Sequence, residues 1–351
     1  MRTYDLTPED LRFNPPRFDK TVLSAYARST FGKEGKLKPL SGERDQNHRL
    51  TTSDGAKYVL KVSGVDEDAA VVDFQVKALT HIANIAPELN VPRIVPTLDR
   101  TPIGILADDA GHRHQVRLLT YVSGVSYWDE PVPSLPVIKK IGAFQGKLCK
   151  ALESCAHPAS QRFMPWDTNN GLVLNLSLSN DKFGDVRRLV VPMLDHFEHS
   201  VLPAMKALRH QVIHNDGHRG NLLKSAPGAD DFVGVIDFGD IVQAPLANDL
   251  AVSLDSLMGW ADNPIDVATA LLSGFHEQFP LERGEIELLY DLTLLRGALT
   301  LQLFDFQLRH EETATETIKK EYPDVVNGFE RNLSLDRENF SRSIAEACGM
   351  T

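Results

Sequence analysis

Val212-Ile213-His214-Asn215-Asp216-Gly217-His218-Arg219-Gly220-Asn221-Leu222-Leu223 is the stretch from which the rest of the chain is read. An apolar run enters it and an apolar pair leaves it. Between them His214, Asp216 and Asn221 stand at H-x-D-x-x-x-x-N spacing. A short loop of this kind can aim a carboxylate and an amide oxygen at one place. The Asp can accept or orient the proton of an attacking hydroxyl, and the Asn, five residues later, can ligate a metal.

Further along, Val233-Gly234-Val235-Ile236-Asp237-Phe238-Gly239-Asp240 is an apolar strand that ends on an acid. A carboxylate at a strand end is well placed to hold Mg²⁺ bridging two phosphates. Asp-Phe-Gly alone says little. The two motifs gain force together, because they follow in order and each sits on a strand exit. Upstream, Tyr58-Val59-Leu60-Lys61-Val62 ends a hairpin that bears a polar loop. A lone strand lysine is by default a solvated charge, but ahead of both motifs Lys61 can meet phosphate oxygens as a point charge.

Working outward, residues 19–31 read as an amphipathic helix stopped by Gly32. Strands are expected at 36–40, 48–52 and 58–62, with Ser41 to Asn47 as a loop and Ser53-Asp54-Gly55-Ala56 as a turn. A helix follows over 67–85, then strands at 103–108 and 115–121. Ser123-Gly124 marks the hinge. Beyond it the chain reads as mainly helical, at 136–153, 191–208, 245–258, 266–279 and 285–309, with short strands at 211–214 and 233–237. His112 and His114 flank Arg113 in a Gly-rich turn, which reads as a solvated hairpin tip before it reads as a metal site.

The 351 residues suffice for two lobes, and the ordinary share of apolar and charged residues is that of a globular protein. A net charge of -11 argues against nucleic acid as a partner and is compatible with a cationic acceptor. Cys149, Cys155 and Cys348 offer neither a disulfide framework nor zinc spacing. No apolar run approaches the ~18 residues of a membrane span. The polar stretch Met1 to Phe18 lacks a signal-peptide core, so a cytoplasmic protein without a membrane partner is expected.

The set resembles the aminoglycoside phosphotransferase and choline kinase superfamily, which shares the bilobal fold of protein kinases. The matching pieces are Leu40 to Leu50, Tyr58 to Val62, Val116 to Gly124, His214 to Leu223, Ile236 to Asp240 and Pro245 to Leu250. Within it, Leu40-Ser41-Gly42-Glu43-Arg44-Asp45-Gln46-Asn47 is most similar to the hydroxylysine kinase branch, which phosphorylates amino alcohols and hydroxylated amino acids. The resemblance implies an α+β, protein-kinase-like fold. Residues 1–123 would form an N-lobe, a small antiparallel sheet with a helix that binds nucleotide. Residues 124–351 would form a larger, mainly helical C-lobe that carries catalysis and the acceptor.

It implies Asp216 as catalytic base, Asn221 and Asp237 as magnesium ligands, and Lys61 on the α and β phosphates. Ser41, Gly42 and Asn47 would belong to the loop over the triphosphate, and Thr120, Tyr121 and Val122 would meet the nucleobase through their backbone. His214 and Asp249 would support the loop. ATP or GTP would be the co-substrate. The acceptor would be a small hydroxylated, amine-bearing molecule such as hydroxylysine. Homoserine, choline, ethanolamine, a sugar or an aminoglycoside are the rivals within the same chemistry, and a silent nucleotide-binding scaffold is the rival outside it.

The chain departs from the pattern in three places. Relatives often carry a Glu in the first helix after the lysine strand, paired with that lysine; the matching residue is Gln75, with Glu67, Asp68 or Asp73 as substitutes. A neutral amide holds an ammonium less strongly than a carboxylate. The loop has one glycine, Gly42, which makes protein substrates less expected. Position 215 is Asn where relatives often have Gly, a mild change to a small polar residue that tolerates unusual backbone angles. For the acceptor, Trp166 could cover it or anchor the core, and Asp167 could pair with its ammonium. Asp240 could face it or cap a helix. Arg296 could meet an acceptor carboxylate or sit in a local ion pair.

Overall fold

The computed structural model describes Leu11 and residues 13–171, 183–310 and 313–350. The reading of Met1 to Phe18 falls largely outside these residues. The chain divides into a smaller unit, which runs to Ser123 and takes in His157–Ala159, and a larger one holding Leu11, Gly124–Ala156 and the described residues from Ser160 onward.

The smaller unit opens with α1 (Lys20–Phe31), whose first turn is capped by the Asp19 carboxylate on the Thr21 N–H and whose end is turned by Gly32 at φ 64. β1 (Gly35–Leu40), β2 (Asp45–Thr52) and β3 (Lys57–Ser63) form the expected antiparallel meander, followed by α2 (Ala69–Ile85). β4 (Ile94–Val95), β5 (Gly104–Ala107) and β6 (Arg113–Thr120) complete one sheet, ordered β1-β2-β3-β6-β4 with β5 also on β6. Alternation decides the faces. Leu60, Val62, Leu50, Val116 and Leu118 bury against Leu23, Ala27 and Phe31 of α1, so Lys61 points the other way.

Two local readings are corrected here. Asp45, Gln46 and Asn47 are ladder residues, opposite Ser63, Val62 and Lys61, so the loop shrinks to residues 41–44. Their polarity hid the strand, although each has a partner in the fold; Gln46, for one, bonds both the N–H and C=O of Phe18. His114 is buried rather than solvated. Its Nδ1 lies 2.9 Å from the Ser63 carbonyl and its ring meets Phe18 edge-on. His112 stays exposed, 2.9 Å from Asp108.

The larger unit contains β7 (Val125–Ser126), α3 (Leu135–Leu152), the short α4 (Leu194–His196) and α5 (Leu202–Met205), and β8 (His210–Ile213). After them come β9 (Leu222–Lys224), β10 (Gly234–Val235), β11 (Val242–Pro245), α6 (Leu246–Met258), α7 (Pro264–Gln278), α8 (Arg283–Arg309), α9 (Glu316–Leu333) and α10 (Arg337–Ala347). β9 pairs with β10 and β7, and β8 with β11. One apolar core runs through α3, α6, α7 and α8. α3 and α7 approach so closely at Gly142 that a Cβ there would stand 1.9 Å from the Leu271 carbonyl oxygen.

The single helix expected over 191–208 is broken. π turns at Val186–Val190 and Phe197–Val201 alternate with a 3₁₀ turn and the two short α pieces. Pro192 and Pro203 lie in this run. Each removes an N–H and its ring presses on the carbonyl four residues back, so the backbone re-pairs in wider and tighter turns.

Candidate active site

The loop from His214 to Asn221 joins β8 to β9, and Asp237 follows β10. Asn215 at φ 63 and Asp237 at φ 61 are left-handed, a state that costs a side-chain-bearing residue roughly 1 kcal/mol. The surrounding bonds hold it. Asp249 takes the Asn215 N–H at 2.6 Å, and the Asp237 carboxylate takes the Gly239 N–H at 3.1 Å. Below the loop, α6 presents Asp249, Ser253 and Ser256 at helical spacing. Ser253 Oγ donates to the Gly217 carbonyl (2.7 Å) and Ser256 Oγ accepts the Arg219 N–H (3.0 Å). The two serines were missed in the sequence. The signal was present, as polar residues at i, i+4 and i+7 of a mainly apolar helix.

His214 is buried and held neutral by that burial. Its Nε2 lies 3.2 Å from the Ile236 carbonyl and its Nδ1 accepts the Asp216 N–H at 3.2 Å, so it links the loop to the segment that carries Asp237. Asn221 Nδ2 donates to the Asp216 carbonyl at 2.9 Å and to its Oδ2 at 2.7 Å. His218 Nε2 stands 3.6 Å from the other carboxylate oxygen, Oδ1. His218 was not singled out from the sequence; burial and then the Arg296 charge bring it down to about 4, so it stands neutral.

The Asp216 carboxyl is pushed well above the usual carboxylate range. Desolvation comes first, then the Asp240 charge, with Arg296 opposing and Asp237 adding. Yet 21% of its side-chain surface is open. The Asp240 and Asp237 charges thus both reach Asp216 within the larger unit.

In the smaller unit Lys61 Nζ lies 3.1 Å from Asp45 Oδ2, an acid outside the set considered from the sequence. Asp68 caps α2, and Asp73 pairs with Lys77 and His157. Gln75 is buried and accepts a hydrogen bond from Arg117 Nη1. Ser41 and Gly42 form the loop after β1. The Asn47 amide donates to the Ser41 carbonyl at 3.2 Å, and a Cβ on Gly42 would stand 2.4 Å from that amide nitrogen. The N–H groups of Thr120 and Tyr121 are spent inside the unit, on the Arg93 and Lys57 carbonyls. Among the described residues the Val122 N–H makes no backbone hydrogen bond, which narrows the expected nucleobase contact to that residue and its neighbouring carbonyls.

The residues considered for an acceptor separate into two groups. Asp167 is buried and caps the turn at Thr168–Asn170 through the Asn169 N–H, and Trp166 packs on the core and edge-on to Phe304, which favours the anchoring reading for both. Asp240 caps no helix; α6 begins at Leu246 after Pro245. Arg296, on α8, is 6% exposed. It donates to the Trp166 carbonyl and lies over that ring at 5.6 Å, and among the described residues no carboxylate stands within ion-pair distance of it.

A model of the phosphotransferase enzyme family matches residues 36–285, well over half of the sequence. The chain belongs to that family. This phosphotransferase is 26% identical over 315 residues to hydroxylysine kinase of Mus musculus, covering 82% of this chain and 81% of that one. It is 26% identical over 301 residues to the hydroxylysine kinase of Danio rerio, covering 82% and 84%. Among solved structures, the amicoumacin kinase hAmiN in complex with AMP-PNP and Ca²⁺ superposes with a TM-score of 0.68 at 15% identity, covering 92% of this chain and 97% of that one. A microcompartment-associated aminopropanol kinase superposes with a TM-score of 0.63 at 18% identity, covering 90% and 98%. The kinase-like α+β fold and a phosphotransferase acting on small molecules follow. Among the described residues no helix is long and apolar enough to cross a membrane.

A divalent ion fits the residues present. The charges of two carboxylates, Asp240 and Asp237, bear on the desolvated Asp216 carboxyl, and a cation relieves such crowding. An amide that donates through Nδ2, as Asn221 does, keeps Oδ1 as the atom able to meet a metal. Among the described residues no three His, Cys, Asp or Glu side chains gather as a closed metal cage. Mg²⁺ in such enzymes is held by one or two protein groups and by phosphate oxygens, so none is required.

Proposed function

We propose that this phosphotransferase moves the γ-phosphoryl group of ATP or GTP, with Mg²⁺, onto a hydroxyl of a small amino alcohol or hydroxy amino acid of the hydroxylysine type. Two observations support the reading: Asn221 donates to the Asp216 carboxylate, and the charges of Asp240 and Asp237 both reach that carboxyl. Asp216 orients the acceptor hydroxyl and takes its proton as the new O–P bond forms and the bond to the nucleoside diphosphate breaks. Magnesium, when bound, offsets phosphate charge; Asn221 and Asp237 would hold it. His214 and Asp249 fix the loop so that these groups need no rearrangement during the step.

Lys61 meets the α and β phosphates, and the Ser41–Asn47 segment covers the triphosphate through backbone N–H groups. The nucleobase lies against the Thr120–Val122 backbone. Asp240 faces the acceptor ammonium and Arg296 its carboxylate, with Trp166 and Asp167 as the support behind Arg296. The names of the relatives and of the aminopropanol kinase favour an amine-bearing acceptor over a sugar.

The test is turnover of ATP and GTP against a library of hydroxylated amines, amino acids and sugars. Asp216→Asn should cut turnover about 10²–10⁴-fold, the usual scale for a lost general base, with Mg-nucleotide affinity kept within about twofold. Turnover near wild type removes Asp216 from its role. Activity confined to sugars removes the amino acceptor.

A further inference from the structure

Strand pairing places Lys61 directly opposite Arg117, on the face of the sheet turned away from α1. Two cations facing each other across a ladder repel. Neither is solvated: the side chains are 14% and 5% exposed. On the next strand Asn47 lies opposite Lys61 and Asp45 opposite Ser63, so Asp45 is the diagonal neighbour on the same face. Its Oδ2 stands 3.1 Å from Lys61 Nζ and 3.4 Å from Arg117 Nη2, while its Oδ1 is buried without a hydrogen-bond partner. Arg117 is fixed in turn by Ser63 Oγ at 2.9 Å and by Gln75, which donates no charge of its own.

We propose that Asp45 is a positioning residue for Lys61. It sets the ammonium toward the phosphates of a bound nucleotide from strand β2, while Gln75 of helix α2 accepts from Arg117. This rests on the nucleotide-binding reading above and goes beyond it. The lysine's placement then follows the register of two adjacent strands. Arg117 holds the Asp45 carboxylate in place, and Asp45 prevents the two cations from driving Lys61 aside.

The experiment is a double-mutant cycle read by calorimetric binding of the β,γ-imido analogues of ATP and GTP with Mg²⁺, and of the corresponding nucleosides. Asp45→Asn should weaken binding of the triphosphate analogue about tenfold, the scale of one charge-assisted contact, and leave nucleoside binding unchanged. In a Lys61→Ala background the same substitution should change nothing further, because the effect passes through the lysine. Asp45→Glu, which keeps the charge and leaves no unpaired buried Arg117, carries the same comparison should the Asn variant not fold. Equal losses in both backgrounds, or a loss shared by the nucleosides, mean that Asp45 only neutralises Arg117 and overturn the proposal. A wild-type protein that binds nucleosides and triphosphates alike, with Lys61→Ala without effect, removes the nucleotide reading itself.

Discussion

Arg296 sets the sharpest question at the level of one residue. A guanidinium taken out of water costs several kcal/mol unless an anion and hydrogen bonds replace the solvent. Here one N–H goes to a carbonyl and the ring of Trp166 covers a face, yet among the described residues no carboxylate closes the pair. Its charge still reaches Asp216, His218, Asp167 and Asp255. A side chain so placed is suited to an anion brought by the acceptor. Arg296→Gln should raise KM for carboxylate-bearing acceptors roughly 10–100-fold, since hydrogen bonds to charged groups contribute about 1.5–3 kcal/mol. KM for amino alcohols without a carboxylate should stay within about threefold of wild type. An equal fall in kcat for both kinds would instead tie the guanidinium to the phosphoryl group. Arg296 was legible as a candidate only because it interrupts a leucine-rich helix. That no carboxylate among the described residues pairs with it depends on where Asp255 and Asp305 point, and α8 pairs Asp305 with Arg309 instead.

Among elements, α6 decides how firmly the loop is held. Asp249, Ser253 and Ser256 lie along one face and take up the backbone groups of Asn215, Gly217 and Arg219. Ser253 is also held by Gln145 of α3 at 2.6 Å. Ser253→Ala leaves the Gly217 carbonyl and the Gln145 amide without this partner in the interior. A loss of about 1–3 kcal/mol is expected, read as a lower urea midpoint with unchanged slope; an unmoved midpoint would mean that water replaces the hydroxyl. Elements with one clear period were read well, as α1, α2, α3 and α6 to α8 show. α9 and α10 were not. Pro323 sits inside α9, and only a sparse set of its residues, Ile318, Tyr322 and Phe329 among them, is buried, so a breaker and a charged surface masked the helix. β2 was shortened in the reading for the opposite reason. Its first residues are polar because they serve Lys61, Arg117 and Phe18, and that demand comes from other parts of the chain.

At the scale of the larger unit, one buried acid should make stability depend on pH. Asp255 lies on α6 near Arg296 and accepts from the Asn332 amide of α9 at 3.4 Å. Both contacts favour its charged form, but burial outweighs them and lifts it to about 7. In the unfolded chain it returns to about 3.9. Between those values the folded state binds the extra proton, so stability is greatest below the lower value and is lost as pH rises toward 7. The slope attributable to a single group is at most about 1.4 kcal/mol per pH unit. Other buried acids move in the same direction, notably Asp249, raised by desolvation against the nearby His214. Asp249 is tied to the Asn215 N–H, however, and its removal would also disturb the loop. Asp255→Asn is the cleaner probe, because an amide keeps the shape and cannot ionise. Urea unfolding of the wild type from pH 5 to pH 8 should show a falling midpoint, and the variant a flatter profile with the larger gain at pH 8. Parallel profiles would place the proton elsewhere and leave Asp255 ionised beside Arg296, which would then already have its anion.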